Sequence, residues 1–368
     1  MTGILTGIKV VEFAQNAAVP YCGRLLAGMG ADVVKVEPLE GDAMRGLAQL
    51  APNEGKAYAV INPGKRGITL DLGSDDAGTV VDALFTWADV ALVGFKQPDL
   101  LRYRIDDIHA RSINSRLIHL THTPFGPEGP DADVGGYDVL VQGRSGAGFI
   151  MNRTENGVPV STRPAINDFG TGIASALGVV AALRHRDLTG EGQRVDASLL
   201  GTALALATPV VNFFEKIDPE AVAQLDEDLK LLQSAGVSFE ERRQVYEQRV
   251  VPGARAFRLY FRHYATADGI ISVAGLSPGL IRRFHEITGL QTPDRNDPHG
   301  AEFNAVVEAA DALFRTKTTA EWITKLREAS YPCGPYNTPF EAINDEQIRA
   351  NDFIIDFEHP AFGSYSAS

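Results

Sequence analysis

The chemistry in this sequence gathers around one carboxylate. Asp168 lies in the stretch RPAINDFGTGIASALGVVAALRHRDLTGEGQRVDASLL, Arg163 to Leu200, and is followed by Gly170, Gly172, Ala174 and Ala176. The pattern predicts a long helix over 168–186 that starts at Asp168, with Ile173, Leu177, Val180 and Leu183 as its buried stripe. Small residues let another backbone or a ligand come close. The first N–H groups of a helix lack intrahelical acceptors, so they can stabilise negative charge growing on a nearby oxygen. Asp168 also has a structural explanation, because Asp is among the preferred helix N-caps.

Other chemistries lack their signatures. No G-x-x-x-x-G-K-[ST], H-E-x-x-H or C-x-x-C is present. The first strand runs into AQNAAVPYCG instead of G-x-G-x-x-G, so the glycines that admit a dinucleotide pyrophosphate are missing. Cys22 and Cys333 have no metal-ligand spacing, and neither a metal nor a disulfide is expected. A formal net charge of −13 argues against nucleic acid or an anionic membrane as partner, while a few local cations can still hold a small anionic ligand. The opening MTGILTGIKVVEF lacks the pattern of a signal peptide, and no apolar run approaches the ~20 residues of a membrane span. A cytoplasmic protein is expected.

The elements that must hold Asp168 alternate in type. Segments 8–13 (IKVVEF), 32–37 (DVVKVE), 67–72, 89–95 and 116–121 read as short apolar strands, and 20–29, 75–88 and 105–112 as the helices between them. Such alternation predicts an α/β fold: a Rossmann-like large domain with a parallel sheet. Segment 190–199 reads as a turn and strand, and 203–214 as a helix. Composition changes near residue 215, and 217–251 reads as charged, exposed helices. Segment 263–273 reads as a hairpin turning at Asp268-Gly269, and 276–290 and 303–329 as helices of a smaller α+β domain. The expected division is a large domain of residues 1–210 and 335–368, a helical connector 211–257 and a small domain 258–334.

Five blocks in order resemble the class III CoA-transferases, also called the CaiB/BaiF family. ALRHRDLTGEGQRVD, Ala182 to Asp196, is similar to the family's A-L-x-x-R-x-x-T-G-x-G-Q-x-V-D, which follows a helix-opening Asp. GADVVKVE with the later Gly41, Asp42 and Arg45 resembles its first βαβ unit and G-D-x-x-R. NPGKRGITLDL (Asn62 to Leu72), GGYDVLVQGRSG (Gly135 to Gly146) and AEWITKLREASYPCGPYNT (Ala320 to Thr338) resemble three further family motifs.

The resemblance implies an enzyme in which Asp168 is the nucleophile toward an acyl-CoA, exchanging CoA with a small carboxylic acid through a mixed anhydride and an aspartyl-CoA thioester. A carboxylate is a weak nucleophile in water, but it can attack a thioester once held close and partly desolvated. Asp138 aligns with an acidic position near the family's site, as catalytic auxiliary or structural hydrogen-bonding group. Coenzyme A is implied as substrate and acyl carrier, near Gln15, Asn16 and Ala17, with Lys65, Arg66 and Arg102 toward its phosphates and Phe95 toward its adenine. An interlocked homodimer is implied as well. The chain departs from the family pattern at Ala17-Ala18-Val19-Pro20, where relatives carry Q-A-G-P or L-A-G-P, and at Val93-Gly94-Phe95 and Pro38. Two alternatives stand beside this reading. An α-methylacyl-CoA racemase shares the helix-opening Asp but carries a His where this chain has Tyr137, a poor base at neutral pH. A non-catalytic CoA-binding member would explain the altered positions.

Overall fold

The computed structural model describes residues 3–208, 211, 212, 214, 216, 219–250, 257–298, 300–359 and 362–368. The chain divides into two compact units: residues up to 223 with 238–240, and residues 224–237 with 241–368. Segment 335–368, expected with the large domain, groups by contact with the second unit in the single chain.

The first unit is built on six parallel strands: β1 (Lys9–Phe13), β2 (Asp32–Glu37), β3 (Arg66–Thr69), β4 (Val90–Val93), β5 (Ile118–Thr123) and β6 (Arg194–Ser198). Their spatial order is β6-β5-β4-β1-β2-β3, all neighbours parallel. This is the doubly wound order, in which the chain reverses its direction of travel between β1 and β4. Central strands read as continuous apolar runs because helices cover both faces. Val90 to Val93 are fully buried, and alternate residues serve opposite cores.

On one face, Val10, Leu92 and Leu120 pack with Cys22 and Leu26 of helix α1 (Ala18–Gly28). On the other, Val11, Phe13 and Val93 pack with Val81 and Phe85 of α2 (Ala77–Trp87) and Ala110 of α3 (Asp107–Ile113). Two further helices, α4 (Asp138–Arg144) and α5 (Ile166–Thr189), precede β6, and α6 (Leu199–Leu206) follows it. The expected helix over 203–214 thus starts and ends earlier, and residues 209, 210 and 213 lie outside the described ones.

Helix α5 differs from its expected form in two ways. It begins two residues before Asp168, with Ala165 at the N-cap position, so Asp168 is the third helical residue and not the cap. Its buried side is the one with small residues: Thr171, Gly172, Ser175, Ala176, Val179 and Ala182. Gly172 meets α1 so closely that an added Cβ would lie 2.8 Å from the Ala18 carbonyl oxygen. Ile173 and Leu177, expected inside, are exposed. By length and apolarity alone this helix is long enough to cross a membrane, contrary to the sequence expectation, yet Val179, Ala182 and Leu183 belong to the core beneath the sheet. Its far end is held by Arg186, which pairs with Asp89 at 2.9 Å.

The second unit holds the two charged helices Pro219–Ser234 and Phe239–Val250 in part, then an antiparallel sheet of Phe261–Ala265, Ile270–Ala274 and Cys333–Pro335. Helices Pro278–Thr288, Ala301–Phe314 and Thr319–Glu328 supply Phe284, Phe314 and Trp322 to its core. The last of these helices opens with a capping box between Thr318 and Glu321. Residues 251–256 of the expected connector lie outside the described ones.

Candidate active site

In an open α/β sheet, ligands bind beyond the carboxyl ends of the strands, where the strand order reverses. A cleft of about 460 Å³ lies at that place. Its walls are Gln15, Asn16 and Ala17 after β1, Gly94, Phe95 and Lys96 after β4, His122 on β5, Gly135 to Tyr137 before α4, and Asp168. A second cavity of about 320 Å³ adjoins it at the ends of β1, β2 and β3, lined by Leu39, Leu70, Leu72, Phe95 and Tyr103. Ala14, Gln15 and Phe95 belong to both.

The loop after β1 is tied down from beneath. Buried Lys35 donates to the Ala14 carbonyl at 2.6 Å and to Glu12 at 2.9 Å. The Asn16 N–H donates to Asp42 at 3.4 Å, and the Gln15 side-chain oxygen accepts from the Ala43 N–H at 3.3 Å. Asn16 holds a φ of 68°, a left-handed conformation that Asn tolerates better than most residues.

Asp168 is placed by its neighbour Asp138. The Asp138 carboxylate is buried and accepts the Asn167 N–H at 2.9 Å, so it caps α5 from outside where Ala165 cannot. Asp138 also accepts from Gln142, whose other amide atom accepts the Thr162 N–H at 2.9 Å. Burial, and then the nearby Asp138 charge, push the Asp168 carboxyl up to about 6. It remains mostly ionised at neutral pH and is poorly solvated, which suits a nucleophile. His122 is half-buried, and burial holds its imidazole down at about 4, so it is neutral.

The other expected ligand residues divide. Gln15, Asn16, Ala17 and Phe95 line the cleft. Arg102 is exposed, its guanidinium 5.1 Å from the ring centre of Tyr103 at the second cavity. Lys65 and Arg66 do not line either cavity. The Lys65 ammonium is buried and pairs with Glu12 at 2.8 Å, also donating to Asn62 and to the Pro20 carbonyl. Arg66 starts β3, at the end of the sheet away from the cleft, and binds Asp32 through two guanidinium nitrogens. Both are explained as ion pairs that hold the sheet. Lys96 and His122 also line the cleft, with no sign of this in the sequence pattern. Lys96 directly follows Phe95 beyond β4, and β5 continues past Thr121 to Thr123, carrying His122 to the rim.

Among known proteins, the model of CoA-transferase family III matches residues 5–368. The chain belongs to this family. As a class III CoA-transferase it is similar to the succinate–glutarate CoA-transferase of Agrobacterium fabrum, at 32% identity over 96% of this chain and 85% of the relative. It is 30% identical to the formyl-CoA:oxalate CoA-transferase of Rhodopseudomonas palustris, over 99% of this chain and 86% of the relative. A CaiB/BaiF family protein from Brucella suis superposes with a TM-score of 0.74 at 27% identity, covering 97% of this chain and 90% of that one. A Mycobacterium tuberculosis protein shares the fold, with a TM-score of 0.78 at 22% identity over 100% and 91% of the two chains. Class III CoA-transferases act on acyl-CoA and carboxylic acids.

Proposed function

We propose that Asp168 carries the reaction covalently, moving CoA from an acyl-CoA donor to a small free carboxylic acid. The observation that carries this reading is a desolvated carboxylate in the first turn of a helix, at the cleft where the strand order reverses. The Asp168 carboxylate attacks the thioester carbon and expels CoA thiolate, leaving a mixed anhydride. The thiolate attacks the aspartyl carbonyl and releases the first acid, leaving an aspartyl-CoA thioester. The acceptor carboxylate attacks this thioester and again expels thiolate. The thiolate then takes the acceptor's acyl carbon and restores the Asp168 carboxylate. The Asn167 amide is occupied by Asp138, while the Asp168 N–H has no partner among the described residues and is available to a developing oxyanion.

The two adjoining cavities suit a long ligand with a flat apolar end. The adenine of CoA fits between Phe95, Tyr103, Leu70 and Leu72, with Arg102 and Lys96 as the nearby cations for phosphate. A homodimer completes the enzyme in this reading. Its support is the exposed apolar side of α5, Ile173 and Leu177, together with exposed Val139, Leu140, Leu204 and Leu206 on helices α4 and α6 that pack against it. The return of 335–368 to a large domain belongs to that interlocked dimer, and a cytoplasmic location to the same proposal.

The test is peptide mass spectrometry after incubation with a panel of acyl-CoAs, with hydroxylamine trapping, on wild type and Asp168→Ala. A hydroxamate on the Asp168 peptide, lost in the variant, is the expected result. A panel in which CoA binds but nothing labels Asp168 would refute the covalent mechanism.

A further inference from the structure

The mechanism above uses Asp168 and the helix start but leaves one polar group of the cleft idle. His122 sits near the end of β5. Residues alternate along a strand, and here the alternation has a clear reading. His119 and Thr121 face one side, where His119 bonds to the Thr121 hydroxyl at 3.1 Å and to the Ile105 carbonyl at 2.9 Å. Ile118 and Leu120 face the other side, in the core shared with Ala176 and Val179 of α5. His122 continues that second row beyond the core and lines the cleft that also holds Asp168.

Among the described residues the imidazole has no hydrogen-bond partner to explain it. Its Nε2 is shielded from solvent without a hydrogen bond, and no hydrogen bond to its other nitrogen is found among the described residues. An unsatisfied buried polar atom destabilises a fold, so its persistence needs a reason. A half-turn of the ring about Cβ–Cγ exchanges Nε2 with Cε1 and Nδ1 with Cδ2. The ring lines the cleft, and the half-turn decides whether a given edge of it carries a nitrogen or a carbon. Being neutral, it offers one N–H donor and one acceptor. Asp168 lines the cleft and the buried Asp138 charge lies near it, so a second anionic oxygen there needs a donor.

We propose that His122 is a specificity-determining residue that hydrogen-bonds the second, non-reacting carboxylate of a short dicarboxylic acid. The proposal rests on the transferase reading of the cleft. The reacting carboxyl belongs at the start of α5. His122 belongs to a different wall and meets the other end of the acid. No bond is made or broken at His122, and the acid keeps its charge.

The experiment compares wild type with His122→Leu, which removes both nitrogens, and His122→Gln, which keeps a donor and an acceptor. Acceptors are dicarboxylic acids of two to six carbons, each against the monocarboxylic acid of equal carbon count. In His122→Leu, kcat/KM for dicarboxylic acids falls about 10- to 100-fold through KM, as expected for loss of a hydrogen bond to a charged group. The ratio of dicarboxylic to monocarboxylic kcat/KM falls with it, and Gln recovers part of that ratio. An unchanged ratio of dicarboxylic to monocarboxylic acids in His122→Leu overturns the proposal. A direct titration separates it from the transferase reading. The Cε1–H NMR signal of His122, assigned by its absence in His122→Gln, is followed with each acid added to CoA-loaded protein. A shift with a dicarboxylate and none with its monocarboxylate supports the assignment even if no acid turns over. No shift with any dicarboxylate overturns it even if Asp168 labels as expected.

Discussion

Replacing Asp138 with Asn should make the enzyme more active in mild acid relative to its activity at neutral pH. Asp168 must be ionised to attack, and its carboxyl stands at about 6 instead of the ordinary 3.8. Wild type should therefore lose activity roughly ten-fold between pH 7 and pH 5, because only about a tenth of the carboxylate survives at pH 5. Burial is the larger cause of the elevation and the Asp138 charge the smaller. The total is 6 − 3.8, or about 2.2, so the share due to Asp138 is less than half of that, under about one pH unit. Asp138→Asn keeps an oxygen for the Asn167 N–H and removes the charge. The acid limb should fall from about 6 toward 5, which would raise the ratio of rates at pH 5 and pH 7 by at most about five-fold. The assay is kcat/KM for CoA release from the acyl-CoA donor across pH 4.5 to 8, so that titration of the acceptor acid does not enter. A wild-type limb near 4, or a limb that stays at 6 in the variant, would refute the reasoning.

Three more outcomes follow from the same geometry. Asp168→Asn should raise stability at pH 7.5 by up to about 3 kcal/mol, since an acid whose pKa rises on folding loses stability as pH climbs from 3.8 to 6; the gain should be absent in urea titrations at pH 3.5. Gly172→Ala should cost about 1–3 kcal/mol in denaturant melts, because its Cβ would press on the Ala18 carbonyl and part α5 from α1; a loss under about 0.5 kcal/mol would show that the contact yields easily. Lys65→Met should destabilise by about 3–5 kcal/mol through an incompletely paired buried Glu12, with the KM for CoA donor unchanged in the protein that folds. A raised KM without loss of stability would return Lys65 to the phosphate site.

Local pattern made the large unit readable. DVVKVE over 32–37 coincides with β2, and the strand–helix alternation led directly to the doubly wound sheet. The apolar spacing in α5 misled, because Ile173 and Leu177 recur at helical intervals as core residues do, yet they are exposed in the single chain. Periodicity finds a face without saying what covers it. Ordered motifs singled out Asp168 and the 15–17 loop, which line one cleft, and left Asp138 open between auxiliary and hydrogen-bonding group; the hydrogen bond by which it caps α5 was not legible, since Asp138 is thirty positions earlier. The ion pairs of Lys65 and Arg66 were not legible for a related reason: a charge in a motif reads the same whether it meets a phosphate or a carboxylate of the protein. His122 was overlooked because a histidine ending an apolar strand carries no pattern of its own, and only the missing hydrogen bond singles it out.

The tethered segment after β1 has a consequence for inhibitor chemistry. Ala14, Gln15 and Phe95 line both cavities, and Lys35, Asp42 and Ala43 hold Ala14 and the loop at Gln15 and Asn16 in place. A fixed shared edge lets each cavity select its own fragment without reshaping the other. Fragments found separately, a flat heteroaromatic on one side and a small acid on the other, should bind additively and keep their poses when joined. A linker that passes over Gln15 would then gain affinity through effective concentration alone.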